Sequence, residues 1–135
     1  MDSSADVVLL GAEWPSRALL RAQLIEEGLE VVATDTWTMM RRYLRPGSTP
    51  RFAIVDLHGL TEPERVLKDL SVLMKPDRVL VLTGIVSLAP DVIERLGFRV
   101  LKRPLSIGRV VAAVVRAFEE QGTEDRPTDP DDSRL

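Results

Sequence analysis

A chain of 135 residues with 44% hydrophobic and 29% charged residues is long enough for one domain with a real core. The absence of cysteine excludes disulfides, thiolate metal sites and a cysteine nucleophile. The net charge of −3 is uneven: residues 1–122 carry 16 acidic and 16 basic side chains, so the whole excess lies in 123–135, where Glu124, Asp125, Asp129, Asp131 and Asp132 face only Arg126 and Arg134. A neutral domain without a basic stripe argues against nucleic-acid binding driven by phosphate contacts. No apolar stretch approaches the ~18 residues of a membrane span, and the start, MDSSAD, lacks the basic residues and apolar core of a signal peptide. The expectation is a cytoplasmic protein that binds neither nucleic acid nor membrane.

In chain order, Val7 to Leu10 is a short apolar run and reads as strand one. Pro15 suits a first helical turn, Leu19, Leu20 and Leu24 follow at helical spacing, and Gly28 stops the helix. Leu29 to Thr34 is strand two. Trp37, Met40 and Leu44 mark a second helix, ended by Pro46-Gly47. Trp37, Met39, Met40 and Tyr43 read as core and flank of that helix, and Arg41, Arg42 and Arg45 as a solvated face that could meet an acidic partner. The stretch from Arg51 to Leu57 (RFAIVDL) runs four apolar residues into one carboxylate, as a fully buried parallel strand does. Thr61-Glu62-Pro63-Glu64 has the pattern of a capping box with Thr61 as N-cap, before a helix lined by Val66, Leu67, Leu70 and Met74.

Arg78 to Thr83 is strand four, Pro90 opens a short helix closed by Gly97, and Phe98 to Leu101 is strand five. Ser106 caps a last helix carrying Ile107, Val110, Val111, Val114 and Phe118, with Gly122 as its end. The expected domain is therefore 6–122, followed by a disordered acidic tail, 123–135. Five strands alternating with five helices imply an α/β flavodoxin-like, doubly wound parallel sheet of order 2-1-3-4-5, with helices on both faces. In such sheets ligands gather at the carboxyl ends of the strands, where Asp56 falls. The plain alternative is that Asp56 only caps the loop after its strand. His58, the one histidine, reads as a solvated loop residue.

The runs FAIVDL, VLVLTG and VLKRPLS, together with Arg17-Ala18-Leu19-Leu20 opening helix one, resemble the receiver domain of two-component response regulators, the CheY-like family, over roughly residues 6–122. The resemblance implies that Asp56 stands at the phosphoacceptor, Thr83 at the switch hydroxyl and Pro104 at a cis proline after strand five. The phosphate-pairing lysine falls on Arg103, with Lys102 one residue earlier. The family's Mg²⁺-binding acidic pair falls on Gly11 and Ala12, leaving Glu13 and Asp56 as weak metal candidates; Val100 replaces the aromatic switch, and Leu60 the proline four residues after the acceptor. Because Mg²⁺ wants carboxylate oxygens in near-octahedral array, these departures point to a pseudo-receiver.

The function expected is a signal-transduction module of two-component type, not an enzyme, acting by protein–protein interaction and using no cofactor. The partner would be a histidine kinase or an output protein. A homodimer could form through helix four, strand five and helix five, where Arg95, Arg99, Val100, Arg109 and Val115 are the surface candidates. The alternatives are an active receiver in a phosphorelay, using Mg²⁺ and phosphorylated on Asp56, and, more weakly, a flavodoxin-like binder of a small ligand. Against the last, Gly11-Ala12-Glu13-Trp14-Pro15 is no phosphate-binding loop.

Overall fold

A computed structural model describes residues 5–84, 90–102 and 106–125. The elements are β1 (Val7–Leu10), α1 (Trp14–Glu26), β2 (Val31–Thr34), α2 (Trp37–Arg41), β3 (Phe52–Asp56), α3 (Pro63–Leu73), a 3₁₀ turn (Pro76–Arg78), β4 (Val79–Thr83), α4 (Pro90–Arg95), β5 (Arg99–Lys102) and α5 (Ile107–Asp125). All five strands are parallel, in the order β2-β1-β3-β4-β5. This is the architecture expected from the βα alternation. The cis peptide expected before Pro104 lies outside the described residues, as do Arg103 and Pro104 themselves.

Strand alternation divides the core in two. Val8, Leu10, Ala53, Val55, Val79 and Val81 face α3 and α4 together with Met40 and Leu44. Val7, Leu9, Phe52, Ile54, Leu80 and Leu82 face α1 and α5, meeting Leu20, Leu24, Val110 and Val114. Phe52 to Val55 are wholly buried. Central β3 is apolar on both sides because helices cover both faces, and each large side chain so buried is worth ~1.5–3 kcal/mol.

Some boundaries differ from the sequence reading, each for a local reason. Helix α3 begins at Pro63, with Glu62 and not Thr61 at the N-cap, and neither Glu62 nor the pattern T-x-x-E supplies a side-chain cap. Proline sits happily in the first turn but constrains the residue before it, which moves the helix start one residue along. Glu62 takes the left-handed conformation, φ +51°, the one non-glycine residue with positive φ among those described. Helix α2 is regular only to Arg41. Beyond it, Arg42, Tyr43 and Leu44 donate their N–H groups to Met39, Met40 and Arg41 carbonyls, so the chain tightens into i→i+3 turns that still bury Leu44. Strand β2 starts at Val31 because Asp6 Oδ2 accepts the Glu30 N–H at 2.8 Å, a side chain taking the place of a ladder partner. Helix α5 runs through Gly122 to Asp125. A glycine ends a helix only where it turns left-handed; otherwise it costs about 1 kcal/mol and the helix continues. Ser106 caps α5 as expected, its Oγ accepting the Arg109 N–H at 3.2 Å.

Candidate functional site

Register brings the candidate residues to one edge. Leu10, the last residue of β1, lies beside Val55, so Gly11 and Ala12 follow next to Asp56 at the carboxyl edge of the sheet. Asp56 is 8% exposed, and its Oδ1 accepts the backbone N–H of His58 at 3.0 Å. Asp56 therefore does cap the loop leaving its strand.

The same carboxylate lines a cavity of about 310 Å³ between α1 and α5. Gly11, Ser16 and Arg17 supply its polar wall; Leu9, Leu20, Leu82, Ile107 and Val110 supply the apolar one. Arg17 is the residue that sequence reasoning undervalued, quoting it only as part of a resemblance. Pro15 sets the start of α1, and from the next half-turn Arg17 reaches back to donate Nη1 to the Gly11 carbonyl at 2.7 Å. A guanidinium thus covers the end of β1 where the resemblance places two metal-binding carboxylates. Space does not demand glycine there: a Cβ on Gly11 would meet Arg17 Cβ at 3.5 Å, an ordinary contact.

Glu13 points elsewhere. It precedes α1 without capping it, and its Oε2 lies 3.5 Å from His58 Nε2, both side chains about half exposed. His58 thus spans Asp56, through its backbone, and Glu13, through its ring. Among the described residues no group of three His, Cys, Asp or Glu side chains could hold a metal ion. Among the described residues, one carboxylate and one guanidinium line the cavity and Glu13 is turned to His58, which is not the set of convergent oxygens that a hard ion such as Mg²⁺ takes.

Thr83 is 1% exposed and lies level with Lys102 across the β4–β5 pair, one residue beyond the Asp56–Leu82 level. Lys102 is exposed, and neither it nor Thr83 is among the described residues lining the Asp56 cavity. The surface candidates divide. Arg95 pairs with Asp91 at 3.1 Å. Arg99 donates Nε to the Asp77 carbonyl at 2.7 Å and Nη2 to Glu120 at 2.6 Å, tying β5 to the 3₁₀ turn and to α5. Val100 is half-buried against the core, Arg109 is exposed, and Val115 lines a separate groove with Glu27, Leu29, Arg51 and Phe118. Met40 is wholly buried and Trp37 packs on the core, whereas Met39 and Tyr43 are each more than two-fifths exposed. No helix among the described residues is long and apolar enough to cross a membrane.

No protein-family model matches the chain, and no curated protein matches its sequence. Solved structures do. A response regulator receiver domain protein (CheY-like) from Methanospirillum hungatei JF-1 superposes with a TM-score of 0.76 at 17% identity, over 90% of this chain and 99% of that one. A protein described as an adenylate cyclase from Rhodopirellula baltica gives 0.72 at 17% identity, over 93% of each chain. NtrX from Brucella abortus gives 0.70 at 19% identity, over 91% of this chain but only 28% of its own length.

Proposed function

We propose, for a chain that has the CheY-like fold of response regulator receiver domains, that it is a two-component-type signalling module which works by presenting a surface to a protein partner and not by Mg²⁺-dependent phosphorylation. One observation carries this reading: Gly11-Ala12 follow the end of β1, and the guanidinium of Arg17 is bonded to the Gly11 carbonyl beside Asp56. In phosphoryl transfer a metal ion neutralises charge that develops on the phosphoryl oxygens. A guanidinium can meet phosphate oxygens as a fork of donors, but it cannot gather the attacking carboxylate and the phosphate into one coordination shell. The partner would be a kinase or an output protein, engaged through α4, β5 and α5.

A gain of function tests the reading. Because a side chain fits at position 11, Gly11→Asp with Ala12→Asp restores two carboxylates beside Asp56. Amide resonances of Gly11, Leu57 and His58 are followed during titration with Mg²⁺, then with Mg²⁺ and beryllofluoride. The wild type shows no saturable shift and the double variant does. A saturable response in the wild type that is absent in Asp56→Asn overturns the proposal in favour of an active receiver. That second reading has its own support, since Asp56 borders an open cavity with a cationic wall.

A further inference from the structure

At the amino ends of the strands, on the far side of the sheet from Asp56, a groove of about 560 Å³ runs along the edge strand β2. Arg21 and Ile25 of α1 form one bank, Arg42, Tyr43 and Arg45 the other, and Val31 and Val32 lie between them. Arg21 is held in place by its Nε bond to the Val31 carbonyl at 3.3 Å. Among the described residues the Arg42 guanidinium reaches Met39 Sδ, at 3.9 Å. Among the described residues none of these three arginines is in an ion pair, and one carboxylate, Glu30, lies on the rim. Ile25 and Tyr43 are 42% and 41% exposed, so the groove offers apolar contact between its charges.

The chain carries a match for this surface. Residues 1–122 carry no net charge; of the acidic residues beyond them Glu124 and Asp125 belong to α5, and Asp129, Asp131 and Asp132 stand close together after Pro127, against Arg126 and Arg134. Helix α5 delivers that segment to the correct end of the molecule. Gln121 donates Nε2 to the Arg51 carbonyl at 2.9 Å, and Arg51 adjoins Pro50, which lines the groove. From Asp125, the last residue of the helix, seven residues reach Asp132, and a chain of that length spans up to about 25 Å. The segment is polar, with prolines at 127 and 130 that disfavour helix in the residues before them. It suits an extended path along a strand edge.

We propose that the groove bounded by Arg21, Arg42, Tyr43 and Arg45 is the docking site of the chain's own acidic segment, residues 126–132, bound intramolecularly with its aspartates among the three arginines. The docked segment covers the open edge of β2, and an acidic partner segment would have to displace it.

With no cysteine in the chain, Ser133→Cys gives a single thiol for a nitroxide label on the intact protein. At low ionic strength the label removes about half or more of the amide peak intensity of Val31, Val32, Tyr43 and Ser48, while peaks of α4 are unaffected. The loss disappears in salt high enough to shorten the Debye length to about 3 Å. It also disappears in Arg42→Glu/Arg45→Glu and, independently of any change to the groove, in Asp129→Asn/Asp131→Asn/Asp132→Asn. Intensity retained at those four amides in low salt overturns the proposal, as does a loss that survives both sets of substitutions. So does a loss seen between labelled and isotopically marked molecules mixed together, which assigns the groove to a second copy.

Discussion

Asp56 does two things at once: it closes the turn to His58 and it borders the cavity that Arg17 overlooks. The first needs only an acceptor oxygen, which asparagine also has; the second needs the charge. Asp56→Asn should therefore leave the denaturant midpoint almost unchanged, whereas Asp56→Ala, which strands the His58 N–H, should cost about 1–2 kcal/mol in urea unfolding. Equal losses in the two variants would show that the charge itself stabilises the edge. Asp56 was legible in the sequence because a carboxylate ending a wholly apolar strand is conspicuous. Arg17 was not, because its role comes from a contact back across the β1–α1 turn, and a lone arginine in a first helical turn reads as solvated. Glu13 was legible as a charge near the site, but its turn toward His58 depends on where two separate loops meet.

Among the elements, strands were read best. A parallel strand buried on both faces is an unbroken apolar run, and β1, β3 and β4 fall within a residue of expectation for that reason. The end of α2, the start of α3 and the end of α5 were read less well. At α3 the proline outweighed the T-x-x-E pattern, and the result is left-handed backbone at Glu62. That conformation costs a non-glycine residue about 1–2 kcal/mol, while glycine adopts it freely. The side chain it would lose makes only an exposed contact with Arg65 at 3.8 Å, worth little. Glu62→Gly should accordingly raise stability by about 0.5–1 kcal/mol, and Glu62→Val, β-branched and held at the same φ, should lower it. Thermal unfolding of the two variants beside the wild type decides the point, and a gain from valine would mean the backbone there is not strained.

For the whole molecule, the fold separates what holds the sheet together from what a partner could touch, and the face formed by α4, β5 and α5 shows the division residue by residue. Arg95 makes one exposed pair within its own helix, an interaction worth about 0.3–0.5 kcal/mol. Arg109 is exposed on α5 and faces water. Arg99, by contrast, joins three elements through Asp77 and Glu120, and Val115 stands in a groove beside α1, away from β5. Charge reversal should therefore separate recognition from stability. Arg95→Glu and Arg109→Glu should weaken partner binding or self-association about ten-fold together, on the order of 1.4 kcal/mol, with the thermal midpoint within a degree or so of wild type. Arg99→Glu should lower both binding and the midpoint, because it removes a tie between β5 and α5. Val115→Glu should leave binding through this face intact. Sedimentation and pull-down of the four variants read binding, and calorimetry reads the midpoint. Should Asp56→Ala abolish binding while Arg95→Glu and Arg109→Glu do not, recognition runs through the acidic edge of the sheet, and the interaction surface proposed for α4, β5 and α5 is wrong.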